Sequence, residues 1–176
     1  MNFVSTRSPV ESISFSEAIF RGLAPDGGLY QFETNPYFPN FFASLHQDIS
    51  FNALSTALSY ELLNSEYDKK TIAGIVNDAF DFAPTLHRLD DSTTVLELFH
   101  GPSCAFKDYG ASFLASVMTR LLRARNEKII IVTATSGDTG SAVAQAFHDR
   151  EGIDVVILYP SSRVSPLQEK QLTTLG

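Results

Sequence analysis

Lys107 stands in His100-Gly101-Pro102-Ser103-Cys104-Ala105-Phe106-Lys107-Asp108-Tyr109-Gly110, a lone lysine among small and apolar neighbours just ahead of a helix. A helix N-terminus carries partial positive charge, so an unpaired, partly desolvated amine at such a place loses its proton more readily and attacks aldehydes. The same pattern also fits an exposed lysine beside an N-cap aspartate, Asp108. A second loop, Thr135-Ser136-Gly137-Asp138-Thr139-Gly140-Ser141, places hydroxyls and glycines before a helix. Such a loop offers backbone N–H groups to a carboxylate or phosphate. Asp138 would repel a bare phosphate and can instead cap the helix. In a third loop, Tyr159 to Pro166, Arg163 can grip a phosphate or carboxylate with its two-pronged guanidinium, or stand in solvent.

Other chemistries find little support. Neither a Walker phosphate loop nor a GxGxxG fingerprint is present. His46, His87, His100 and His148 lack metal-ligand spacing, so no metal site is expected. His100 adjoins the lysine loop and is the one histidine with a place near it. Cys104 is expected to be a small buried residue rather than a nucleophile.

The elements that must position these loops differ between the two halves of the chain. Residues 1–90 read as a smaller, mainly helical and loop-rich unit. Ser14-Phe15-Ser16-Glu17 is a capping box that opens a short helix ended by Gly22. Ala24 to Tyr30 form a tight turn leading into an extended piece, and Pro36 and Pro39 keep the following stretch irregular. Ser50 caps a second helix with Leu54, Leu58 and Leu62 on one face, and a third carries Ile72, Ile75, Val76, Ala79 and Phe80. Residues 91–176 read as β-α-β-α-β-α. The strands are Val95–Phe99, Ile129–Val132 (buried on both faces) and Val155–Leu158; the crossover helices make the sheet parallel. All three polar loops follow strands and so lie at the ligand-binding edge of that sheet. Three strands are few, and the last helix has no closing element. The expectation is a piece of a larger protein whose open sheet favours self-association.

The 176 residues, 44% hydrophobic and 19% charged, fit a globular chain rather than a disordered one. The net charge of −7 argues against nucleic acid or anionic membranes as partners. One cysteine excludes an internal disulfide framework, and no apolar run approaches the ~18 residues of a membrane span. A cytoplasmic location follows as the expectation.

Five segments together resemble the threonine synthases. They are Asn2–Arg7, Gly22–Tyr30, Leu98–Gly110, Ala134–Ala142 and Tyr159–Gln171, in order along nearly the whole chain. The resemblance implies a pyridoxal-phosphate enzyme of the tryptophan-synthase-β-like fold: a parallel, three-layer α/β sheet with crossover helices, of which this chain holds part. It implies conversion of O-phospho-L-homoserine and water to L-threonine and phosphate. Lys107 would hold the cofactor as a Schiff base and act as base. Phe106, Ser136, Gly137, Asp138 and Thr139 would face the cofactor; Thr135, Ser136, Thr139 and Arg163 would face the substrate. Family chains are much longer, so a 176-residue piece would lack the phosphate loop and be inactive alone. A related phospho-lyase releasing a keto acid shares these motifs. A non-catalytic chain binding an anion or a partner domain is the third reading.

Overall fold

The computed structural model describes residues 1–175, and the chain divides into two compact units, Met1–Val76 and Asn77–Gly176. In the first, β1 (Phe3–Ser5) pairs antiparallel with β2 (Tyr30–Phe32), with Val4 opposite Gln31. Strand β2 is the extended piece expected after the turn, whereas β1 is too short a run to be evident. Between them lies α1 (Phe15–Arg21). The Ser14 hydroxyl accepts from the Glu17 N–H at 3.1 Å, as the capping box predicts. The Glu17 carboxylate turns instead to Arg21 Nε at 2.9 Å. The two preceding N–H groups, of Phe15 and Ser16, donate to the carboxylate of Glu66, 50 residues away. Phe3, Ile13 and Ala18 form the core here, with Phe15, Tyr30 and Phe32 packed on it.

Pro39 does not keep its stretch irregular: it opens the one-turn helix α2 (Pro39–Ala43), where its missing N–H costs nothing. Helix α3 (Phe51–Leu63) begins at the expected cap, Ser50, whose hydroxyl accepts from the Ala53 N–H. Its buried residue is Leu63, while Leu58 stays exposed. Helix α4 (Lys69–Ala79) buries the stripe expected of it, Ile72, Ile75 and Val76 completely.

The second unit departs from the expected sheet. The run at 95 is not the first of three parallel strands. Strand β3 (Thr85–Arg88) pairs antiparallel with β4 (Thr94–Glu97), His87 opposite Val95. The link between them is too short for a crossover, and a tight turn joins only antiparallel neighbours. Asp90 builds that turn by accepting from the N–H and hydroxyl of Ser92. The parallel ladder is a pair, β5 (Ile129–Ala134) and β6 (Ile153–Leu158), in register from Ile129 opposite Ile153. Nor is β5 buried on both faces. Exposure alternates, and Ile130 and Val132 are 62% and 61% exposed. Their face also carries Val156 and Leu158, exposed likewise. A strand rich in β-branched residues reads as doubly covered in sequence, but within the described residues α6 (Asp138–Phe147) covers the other face.

Helix α5 (Lys107–Arg125) packs against α6 through surfaces of small residues. Its buried positions include Ser112, Ala115, Ser116, Val117 and Met118, and those of α6 include Gly140, Ser141, Ala142 and Ala144. Leu114, expected in the buried stripe, is 37% exposed. Helix α7 (Pro166–Thr173) starts at Ser165 with a complete capping box to Gln168. A latch spans this unit. Arg150 NH1 bonds Asp78 Oδ2 at 2.6 Å. Burial pushes the Asp78 carboxyl up, but the Ser116 hydroxyl and the Arg150 guanidinium outweigh it and hold it below the usual carboxylate range.

Candidate active site

Lys107 is the first residue of α5, half-buried, with its Nζ 5.8 Å from the centre of the exposed Phe106 ring. Among the described residues no carboxylate pairs with it. The residue before the helix is Phe106, which has no side-chain cap, so Asp108 is not the N-cap expected from sequence. It sits inside the first turn, 1% exposed, and turns back onto the loop. Its Oδ2 accepts from the Ser103 N–H at 3.0 Å and its Oδ1 from the Ser103 hydroxyl at 2.5 Å. Tyr109, next along, packs its ring 4.9 Å from Phe82 and 6.0 Å from Phe80. Burial, then the charge of Asp108, raises its phenol above the ordinary range.

Cys104 is exposed rather than buried, and takes φ of 58°, left-handed for a residue with a side chain. His100 Nε2 lies 2.9 Å from Glu97 Oε2. No group of potential ligands among the described residues could hold a metal ion.

The second loop is built around Thr135. Its hydroxyl accepts from the N–H groups of Gly137 and Gly140 and donates to the Gly137 carbonyl, each at 3.1 Å. The cap of α6 is therefore Thr135 acting from outside the helix. Residue Gly137 holds the N-cap position, and Asp138 is the first helical residue rather than the cap. The Asp138 carboxylate accepts from Gln168 Nε2 at 3.1 Å, tying the heads of α6 and α7 together. No residue pattern near Asp138 announces that link. Ser136, Asp138 and Thr139 are exposed, at a helix N-terminus whose first N–H groups have no partner within the helix. Arg163 is exposed in the third loop.

The structure thus ties the second loop to α7, which follows the third loop. It packs α5 against α6, the two helices that open from the first and second loops. No hydrogen bond or ion pair among the described residues joins Lys107 to Thr135, Ser136, Gly137, Asp138 or Thr139. A cavity of about 620 Å³ runs along β6 between α6 and α7, and includes none of Lys107, Thr135 to Thr139, or Arg163.

A parallel β-α-β unit with polar loops at the strand ends places this chain among the α/β proteins that take small ligands at that edge. The comparisons narrow the class. A family model described as "Threonine synthase N terminus" matches residues 2–80. Threonine synthase of Haemophilus influenzae is 41% identical over the full chain, which spans 40% of that relative. A crystal structure of pyridoxal-phosphate-bound threonine synthase from Brucella melitensis superposes with a TM-score of 0.90 at 38% identity, covering 100% of this chain and 39% of that one. Yeast threonine synthase gives 0.89 at 34% identity, covering 98% and 38%. The chain is similar along its whole length to part of these threonine synthases, and residues 2–80 match the model of their N terminus. It spans about 40% of the length of the curated relatives it matches. No helix among the described residues is long and apolar enough to cross a membrane.

Proposed function

We propose that this chain supplies the lysine-bearing part of a pyridoxal-phosphate-dependent threonine synthase, acting on O-phospho-L-homoserine and water to give L-threonine and phosphate. One observation carries the reading: Lys107 stands half-buried at the head of α5 with no carboxylate partner among the described residues. Those conditions suit an amine that must bond an aldehyde. Pyridoxal phosphate, when bound, supplies an electron sink for the carbanion chemistry. The residues of the chain do the rest. Lys107 Nζ anchors the cofactor and takes up the proton from the substrate α-carbon. Phe106, Ser136, Gly137, Asp138 and Thr139 line the cofactor side. The free N–H groups at the head of α6, with the hydroxyls of Ser136 and Thr139 and the guanidinium of Arg163, receive the anionic groups of the substrate. Thr135 serves by shaping that loop. We assign β5, α6 and β6 to the opening of a parallel, three-layer sheet of the tryptophan-synthase-β type, and the location to the cytoplasm.

Borohydride reduction in the presence of pyridoxal phosphate, followed by peptide mapping, tests the anchor. The cofactor mass should appear on the Lys107 peptide and be lost in Lys107→Ala. Labelling spread evenly over all lysines would overturn the assignment. In the intact enzyme, Lys107→Ala should lower phosphate release by about 10³-fold or more. Release of a keto acid in place of threonine would move the protein to the phospho-lyases.

A further inference from the structure

We propose that Ser103 and Asp108 are positioning residues that set the direction of the Lys107 side chain. The inference rests on the role of Lys107 given above and concerns how that role is held in place.

Asp108 follows Lys107 in the first turn of α5 and is 1% exposed. A buried carboxylate is costly unless its oxygens are hydrogen-bonded. Both are, and by one residue: the N–H and the hydroxyl of Ser103. Ser103 is itself 8% exposed. The socket leaves no slack. A Cβ on Gly101 would lie 2.5 Å from Asp108 Oδ2 and 2.7 Å from its Cβ. Within the loop the Cys104 N–H donates to the Gly101 carbonyl, and the Asp108 N–H to the Ala105 carbonyl, each at 3.0 Å. The left-handed φ at Cys104 is a strained state that persists where its surroundings over-determine it.

Successive residues of an α-helix project about 100° apart around the axis. Fixing the side chain at 108 against the loop therefore fixes the rotation of the first turn, and with it the Cα–Cβ direction at 107. Tyr109 anchors the same turn from its other neighbour, through the rings of Phe80 and Phe82. Lys107 lies next to this pair of fastenings, its own long side chain free of ionic partners among the described residues. An amine that must meet one carbon atom repeatedly gains most from such preorganisation.

The test measures amine reactivity without the cofactor. Trinitrobenzenesulfonate is applied at low conversion over about pH 7 to 10, a range approaching the ordinary lysine pKa. The Lys107 rate is read against exposed Lys128 by peptide mass spectrometry. Ser103→Ala and Asp108→Ala should raise the Lys107/Lys128 ratio at least about threefold as the first turn opens, with a changed pH profile. Ser103→Thr, which keeps the hydroxyl, should restore the wild-type ratio and profile. Should Asp108→Ala fail to fold by circular dichroism, the Ser103 variants decide alone. Ratios and profiles equal to wild type in folded variants would overturn the proposal. Pyridoxal phosphate trapping on the wild-type chain is run separately. Its failure would overturn the cofactor reading, while the labelling ratios still judge the positioning role.

Discussion

The hydroxyl of Thr135 reaches the Gly140 N–H at 3.1 Å because residue 140 has no side chain: a Cβ there would lie 2.1 Å from Thr135 Cγ2. The two residues make a single device that closes the loop and starts α6. Gly140→Ala should therefore destabilise the protein by roughly 1–3 kcal/mol, the usual range for overpacking. Adding Thr135→Ser, which removes the obstructing methyl and keeps the hydroxyl, should recover most of the loss. Urea denaturation midpoints of the single and double variants check this, and no recovery in the double variant would count against it.

Glu66 holds the start of α1 from 50 residues away. Its carboxylate also accepts from the Ser16 hydroxyl at 2.7 Å. Glu66→Ala removes the acceptor of the Phe15 and Ser16 N–H groups, at an expected cost of about 1–3 kcal/mol. Thermal unfolding of Glu66→Ala and Glu66→Gln gives the comparison. Gln, which keeps one carbonyl acceptor, should fall between Ala and wild type.

The Ser5 hydroxyl and then the Gly28 N–H hold the Asp26 carboxyl below its ordinary value of 3.8. A lowered folded-state pKa contributes stability that is fully present above the unfolded value and lost as pH falls through the folded one. The gap in denaturation midpoint between wild type and Asp26→Asn should thus be widest at neutral pH. It should narrow once pH drops below 3.8. A gap unchanged down the acid range would contradict this.

The exposed face of Ile130, Val132, Val156 and Leu158 should drive self-association at high concentration, since burial is worth about 25 cal/mol per Å² of apolar area. The charge of −7 opposes it, less so as salt rises. Sedimentation should show oligomers that Val132→Lys disperses. A monomer at every concentration would refute the expectation.

Local signals were the legible ones. Ser14 and Ser50 each cap the helix expected, and Gly22, at φ 67°, ends α1. The stripe of α4 was plain because large apolar residues recur at helical spacing. The start of a helix at Lys107 was readable, while the loop by itself left open a reactive amine or an exposed lysine. Partners distant in the chain were not. Nothing near Phe15 announces Glu66, and nothing near Asp138 announces Gln168. The parallel sheet was overcounted because Val95 to Leu98 carries the same β-branched and aliphatic composition as β5, and composition does not say which strand is the neighbour. Asp108 was misassigned for a related reason. An aspartate at a helix start can bond forward as a cap or backward into its loop, and only the fold of Gly101 to Ser103 decides.

The Asp78–Arg150 latch joins residues 72 positions apart. A polypeptide is made from its N-terminus at roughly 5–20 residues per second, so Asp78 exists for roughly 4–14 s before its partner has been synthesised. Through that interval Asp78 lacks the Arg150 guanidinium. The aromatic residues beside it, Phe80 and Phe82, meet Tyr109 well before the latch can close. The residues of the ring cluster are thus complete earlier in the synthesis of each new chain, and those of the ion pair later.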